Sequence, residues 1–304
     1  MEVSVLERIV ETALETQVVD CAFPTVGSVA ETALLELAGA PSQVVCKRGG
    51  ANVWTGDVIE PLVCQAVAEA TELPVPEVLA TGSVRGPHID PALERWALYE
   101  HREGDVLDTY PAHELATTRR IVRQAGSLLG RLHAAFEGRY DAVAGLARAD
   151  GDLGPVPPAG WHAMAPDGIT RGLIPVPTAG HPECRPVLTH GDYHPHNLLC
   201  DADGTVTAVL DWGNAHVTHD GYAVARAEAR FVDRFRLPDR ERSALIAAFR
   251  AGYEDHRPLE PAYGRRAPWY KRLWLVQSLA NYGRIARTKR GRTQLARQAR
   301  TLLE

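Results

Sequence analysis

The sequence predicts an α+β protein of two lobes, an antiparallel sheet followed by a mostly helical portion. Three observations carry this expectation. Short β-prone runs separated by Gly, Pro and Ser fill the chain to about residue 101; helical spacing dominates from about residue 110; and a hairpin signal at 198–213 sits inside the helical part. A chain of 304 residues has enough apolar material for two modest lobes. The expected division is 1–101 and 102–304.

The amino terminus, "MEVSVLERIVETALET", carries acidic residues throughout and an apolar rhythm at Val5, Ile9 and Ala13. That is a helix pattern without the continuous apolar core of a signal peptide. "QVVDCAF", "ALLEL" and "QVVCK" follow as strands of a small antiparallel sheet. A helix is expected from about Glu60 to Thr71, because Pro61 fits only a first helical turn and Val63, Val67 and Ala70 mark one face. "PVPEVLATG" and "ERWALYEH" read as two more strands, with "REGD" at 102–105 as the crossing between lobes. Ile121, Ala125, Leu128, Leu129, Leu132 and Phe136 then keep helical spacing through "RRIVRQAGSLLGRLHAAF". Residues 140–187 are rich in Gly and Pro without a steady period and read as irregular. Helical patterning returns from Tyr222 onward.

Composition narrows the class. Hydrophobic residues make up 45% and charged ones 23%, ordinary values for a water-soluble protein. Five scattered cysteines without a CxxC pair suggest neither a disulfide framework nor a zinc knuckle, and fit a reducing cytoplasm. No run approaches the length of a membrane span, so no membrane partner is expected. The net charge of −5 is unevenly spread: residues 1–220 hold 14 Lys+Arg against 30 Asp+Glu, net −16, and residues 221–304 hold 19 against 8, net +11.

The densest chemistry is "HGDYHPHN" at 190–197, followed by "LLCDADGTVTAVLDWG". The "DADG" turn between two apolar β-prone runs predicts a hairpin. Asn197 precedes its first strand and Asp211 follows its second, which places both at the same open end, on strands about 5 Å apart. An amide oxygen and a carboxylate so placed can share a hard cation such as Mg²⁺, which keeps its remaining positions for water and phosphate. Asp192 lies in the loop leading into the hairpin. Three histidines in eight residues also suit a metal-dependent hydrolase, which would need further ligands and would leave "VLDWG" without a role. His190 is expected to fix the loop by hydrogen bonding, and His133 to be a satisfied core histidine.

"HGDYHPHN" with "VLDWG" nineteen residues after Asp192 resembles the aminoglycoside phosphotransferase family, relatives of choline kinases and protein kinases. "VTAVLDWGNA…DGYAVA" resembles its hygromycin-type branch in particular. The resemblance implies a two-lobed protein-kinase-like fold and transfer of the γ-phosphoryl of ATP or GTP to a hydroxyl of a small molecule. By the same resemblance Asp192 orients or deprotonates the acceptor hydroxyl, and Asn197 and Asp211 hold Mg²⁺. Lys47 pairs with the nucleotide phosphates, held by Glu60 or by its rival Glu69. Backbone groups of Glu100 and His101 hydrogen-bond the adenine edge.

Two departures accompany the match. "PTVGSVAETALLEL" has one glycine, Gly27, where protein kinases carry a Gly-rich loop. Ala223 stands where the family commonly has an Asp, and the nearest carboxylate is Asp220. The rival readings are a nucleotide-binding pseudokinase and a nucleic-acid-associated protein using "RIARTKRGRTQLARQAR", a run that is more often a solvated helix face. The basic terminal portion predicts a neutral or anionic acceptor in preference to a polycation.

Overall fold

The computed structural model describes residues 2–24, 30–85, 90–107, 114–157 and 185–280, with a few more helical residues between 292 and 300. Gly27 and most of the arginine-rich run lie outside the described residues, as do Trp161 and Asp167, which the sequence offers as candidate linings of an acceptor pocket.

Five strands, β1 (Val18–Ala22), β2 (Ala30–Leu37), β3 (Gln43–Gly49), β4 (Val78–Ser83) and β5 (Arg95–Glu100), form one antiparallel sheet in the order β1-β2-β3-β5-β4. Each β-prone run contributes a strand, though β3 continues two residues past Lys47, and the prolines of "PVPEVLATG" delay β4 to Val78. Side chains alternate across the sheet with period two. Val44 and Cys46 point into a small core made with helix α1 (Val3–Leu14), whose buried face is Leu6, Ile9 and Val10. The expected stripe of Val5, Ile9 and Ala13 is thus rotated about its centre, Ile9. Val45 and, by parity, Lys47 emerge on the other face, where α2 (Glu60–Ala70) packs through Ile59, Val63 and Val67.

The second part of the chain is mixed rather than purely helical. The crossing at 102–105 ends in a two-residue strand, β6 (Asp105–Val106), which pairs with β10 (Leu198–Cys200), itself paired with β11 (Val206–Val209). The stretch 140–187, expected to be irregular, contains a hairpin of β7 (Gly145–Ala149) and β8 (Asp152–Val156) and the start of β9 (Pro186–Thr189), which pairs with β12 (His216–His219). Gly and Pro within strands obscured their period.

Helix α3 (Leu115–Ala135) follows the predicted apolar spacing and packs on α5 (Asp239–Glu254). The two backbones approach so closely that a Cβ on Gly126 would overlap the Phe249 carbonyl, and one on Gly252 the Arg123 carbonyl. Helices α4 (Asp220–Glu228) and α6 (Tyr263–Ala280) complete the described helical layer. One continuous core joins α2, α3, the β10–β11 hairpin and the later helices, so the face of the sheet that carries Lys47 is built on the same core as the hairpin.

Candidate active site

Lys47, Glu60 and Asp211 meet at a cleft of about 480 Å³, a volume suited to a nucleotide-sized ligand. Lys47 Nζ lies 2.8 Å from Glu60 Oε1 and 3.4 Å from Asp211 Oδ1. Glu60 opens α2 directly before Pro61 and is buried, whereas Glu69 is exposed, so the rivalry between the two resolves by packing. Glu60 Oε1 also accepts the Trp212 backbone N–H at 3.3 Å, which ties α2 to the segment after β11. Burial alone would lower the Lys47 pKa, but the two carboxylates more than offset it and hold the ammonium above its ordinary value. Burial and the neighbouring Asp211 charge raise Glu60, against the pull of Lys47.

The hairpin places Asn197 and Asp211 at one end, as its geometry predicts: Leu210 N–H donates to the Asn197 carbonyl at 2.8 Å. Asn197 Nδ2 donates to the Asp192 carbonyl at 2.9 Å, which leaves the amide oxygen free to face a cation. Asp211 adopts the left-handed conformation, φ 65° and ψ 61°, a region uncommon for a side-chain-bearing residue and concentrated at functional sites. Its side chain is half exposed in the cleft.

Asp192, Asn197, Asp211, Glu100 and His101 all line this cleft. Glu100 is bonded within the protein. Its N–H donates to the Glu77 carbonyl at 2.9 Å and its carboxylate pairs with Arg102 Nε at 3.0 Å, so that N–H is unavailable to a ligand.

The loop carrying Asp192 is fixed from several sides. His190 Nε2 donates to the Leu210 carbonyl at 2.8 Å, and its Nδ1 accepts the Asp192 N–H at 3.2 Å, which sets its tautomer. Tyr193 Oη donates to the Ala125 carbonyl of α3 at 2.8 Å. Gly191, at φ 79°, is pressed against the Asn214 carbonyl where no Cβ fits. His194 accepts the His196 N–H on Nδ1 at 3.1 Å, and its Nε2 lies 3.3 Å from Asp192 Oδ2. Both ring nitrogens of His190 and of His194 are therefore engaged, which removes the lone pairs that a zinc or iron hydrolase would need. Among the described residues no group of three or more His, Cys, Asp or Glu side chains is arranged to hold a metal ion.

Three contributors were not legible in advance. Asn52, buried after β3, donates from Nδ2 to the Gly213 and Ala215 carbonyls at 2.8 and 3.0 Å and accepts the Trp54 N–H at 2.8 Å. It thereby latches the sheet to the segment after Asp211. Arg226 of α4 donates to the Gly191 carbonyl, and Arg230 to Asp192 Oδ1. Arg226 therefore braces the loop carrying Asp192 from one turn beyond Ala223. Asp220 does not take that role: it is fully buried and bonded to Arg185, Arg257 and His219. Burial works against the Asp192 charge, but Arg230, with His194 and Arg226, holds its carboxyl well below the usual range. His133, buried on α3, is a core residue as expected, but only half satisfied: Nδ1 bonds Tyr253 Oη at 3.0 Å and Nε2 has no partner among the described residues.

A cleft built by a lysine and a glutamate under an antiparallel sheet, facing a loop Asp, an Asn and a hairpin Asp, defines the class of kinase-fold phosphotransferases. The chain belongs to the family described as "Phosphotransferase enzyme family", whose profile matches residues 62–269. It is thus a phosphotransferase. Solved structures share its fold. A thermostable mutant of the aminoglycoside phosphotransferase APH(4)-Ia, in ternary complex with ADP and hygromycin B, aligns at 17% identity and TM-score 0.58, covering 98% of each chain. The microcompartment-associated aminopropanol kinase aligns at 15% identity and TM-score 0.66, over 99% of this chain and 95% of its own. The amicoumacin kinase hAmiN, in complex with AMP-PNP, Ca²⁺ and Ami, aligns at 12% identity and TM-score 0.68, over 99% and 92%. No curated protein matches the sequence.

The buried histidines make stability depend on pH. Burial, reinforced by Arg230 beside His194 and by Arg226 beside His216, holds these rings down to about 4 and about 3, from an ordinary 6.5. Burial also lowers His133 and His190. Folded-state values below the unfolded one mean that unfolding takes up protons as pH falls through 6.5, so stability is present above that pH and is lost below it. Each ring contributes up to about 1.4 kcal/mol per pH unit in that window. Urea midpoints should therefore fall between pH 7.5 and pH 5.5; a midpoint equal or higher at pH 5.5 would contradict the assignment of neutral buried imidazoles.

Proposed function

We propose that the protein transfers the γ-phosphoryl group of ATP or GTP, with Mg²⁺, to a hydroxyl of a small metabolite or antibiotic. Residues 1–101 would form the nucleotide lobe, and 102–304 the lobe carrying the catalytic loop and acceptor site, in the cytoplasm. The observation that carries this reading is the joint lining of one cleft by Lys47, Glu60, Asp211, Asp192 and Asn197, with Lys47 bonded to both Glu60 and Asp211. The nucleotide complexes of the similar structures, with ADP and with AMP-PNP, support the choice of donor.

Lys47 would pair with the phosphates while Glu60 holds it in place. Backbone groups at Glu100 and His101 would meet the base, with the Glu100 N–H excluded. The donor set at the hairpin end fits a hard cation: the Asn197 amide oxygen and the second Asp211 carboxylate oxygen carry no other bond among the described residues. Charge points the same way. Two carboxylates, Glu60 and Asp211, share one ammonium, so the cluster is short of positive charge in a partly desolvated site. Mg²⁺ bound there would neutralise the phosphate oxygens and the charge that develops on them. Asp192, kept ionised, would align the acceptor oxygen for in-line attack and accept its hydroxyl hydrogen bond. Most of the acceleration then comes from positioning and charge neutralisation.

In calorimetry, Lys47→Ala and Asp211→Asn should each weaken Mg²⁺–nucleotide binding by at least about tenfold, roughly 1.4 kcal/mol. Native affinity for both Mg²⁺–ATP and Mg²⁺–GTP in both variants would remove these residues from the nucleotide site. Asp192→Asn keeps the shape and loses the charge, so kcat with a verified acceptor should drop about 10²- to 10⁴-fold while nucleotide still binds. Near-native turnover in that variant would reassign the loop.

A further inference from the structure

Helix α4 ends in a widened turn of π type at Ala229–Asp233, a form that is rare and often found at functional sites. A buried ion-pair network joins its two ends. Glu228 and Asp233, both fully buried, flank the turn and share Lys271 Nζ, 2.8 Å from each. Glu228 also takes Arg250 Nε at 2.6 Å and Tyr263 Oη at 2.9 Å, and Asp233 takes Arg242 Nε at 2.7 Å. Buried ion pairs of this kind are weak stabilisers but fix geometry when every partner is present. Here the geometry they fix is that of Arg230, inside the turn, aimed at Asp192.

Arg230 donates one N–H of its five to Asp192 Oδ1, and its side chain is 17% exposed. It is not among the residues lining the nucleotide cleft, although Asp192 and Asn197 are. Arg226 and Arg230 together set two cations beside one carboxylate. Burial and the proximity of Arg230 lower the Arg226 pKa, the direction expected where positive charge is undercompensated. Arg234 adds to the field, helping burial and Arg230 to hold the His194 ring neutral. The acidic residues Asp150 and Asp152 sit exposed at the β7–β8 turn, with no bond to the catalytic loop among the described contacts. A polycation brought to Asp192 would meet like charge; an oxyanion would supply the missing partner and could be taken by a guanidinium through two parallel hydrogen bonds.

Resting on the kinase reading above, we propose that Arg230 is an acceptor-binding residue and that the acceptor is a hydroxylated anion, carrying a carboxylate or phosphate close to the hydroxyl that is phosphorylated. The hydroxyl oxygen forms the new bond to the γ-phosphorus and the bond to the β,γ-bridging oxygen breaks. The nucleoside diphosphate leaves, and the hydroxyl proton passes by way of Asp192 to solvent. Arg230 meanwhile holds the anionic group of the acceptor and keeps Asp192 ionised.

The test is a panel matched in hydroxyls and differing in charge, assayed with Mg²⁺–ATP and Mg²⁺–GTP at low and moderate salt. Glycerate, glycerol 3-phosphate and gluconate are the anions, glycerol and glucose the neutral members, glucosamine and hygromycin B the cations. The best anion should exceed its neutral counterpart by at least about tenfold in kcat/KM, with the margin shrinking as salt rises. Glycerate against glycerol 3-phosphate separates a carboxylate from a phosphate requirement. Arg230→Gln should cut the anion-to-neutral ratio at least about tenfold, chiefly through KM, and Arg230→Lys should recover part of it. A kcat loss equal for charged and neutral acceptors would instead place Arg230 on the transferring phosphoryl group and overturn the proposal. Neutral or cationic acceptors leading the panel would overturn it while leaving the kinase reading intact. If nothing is phosphorylated although Mg²⁺–nucleotide binds, the kinase reading falls and takes this inference with it. Should Arg230→Gln fail to fold, the wild-type ranking and Arg230→Lys decide the matter.

Discussion

One carboxylate oxygen holds the site together. Glu60 Oε1 accepts both the Lys47 ammonium, from the sheet, and the Trp212 backbone N–H, from the segment after the hairpin. A buried carboxylate is costly unless its partners are in place, so the helix that carries Glu60 cannot shift relative to either without leaving charge unsatisfied. The remaining cleft follows from that constraint. Lys47 is drawn to Asp211, Asp211 is turned into the left-handed region to face the cleft, and Asn52 fastens the same segment through the Gly213 and Ala215 carbonyls.

The catalytic loop uses a second set of restraints that is largely uncharged. His190 joins it to the hairpin, Tyr193 to α3, and Arg226 to α4. Each restraint ends on a backbone group, so the loop's conformation is set independently of the Asp192 charge. In the proposed reaction, that separation would let the Asp192 carboxylate serve the acceptor while its neighbours keep their places. Behind it, the buried Glu228–Lys271–Asp233 bridge fixes the widened turn from which Arg230 reaches the same carboxylate.

What could be read from the residues alone was the part governed by short-range periodicity. Period-two strands with Gly/Pro punctuation specify the sheet, and the "DADG" turn alone places Asn197 and Asp211 at one end of a hairpin. Pro61 marked the start of α2, but whether Glu60 or Glu69 would meet Lys47 depended on which side of α2 the sheet covers, a tertiary fact. The β7–β8 hairpin escaped because Gly145, Gly154 and Pro155 interrupt its alternation, and β6 because two residues carry no period. Arg230 lies 38 residues from Asp192, and in sequence it is one of the many arginines that make the terminal portion basic, with nothing to single it out. No sequence period announces a π turn. Asn52 sits in a Gly-rich stretch where an asparagine reads as a turn former, and only the neighbouring carbonyls reveal its use. The substitution at Ala223 was visible, whereas the bond from Arg226, one turn onward, to the Gly191 carbonyl was not.

The central claim is that Lys47 and Glu60 act on the nucleotide as one unit, and a double-mutant cycle on Mg²⁺–nucleotide affinity measures this most directly. Lys47→Met and Glu60→Gln should each weaken binding, and the double variant should be little worse than the more damaged single one, with a coupling on the order of 1 to 3 kcal/mol. Strictly additive losses would show that the two side chains contribute separately and would contradict the account.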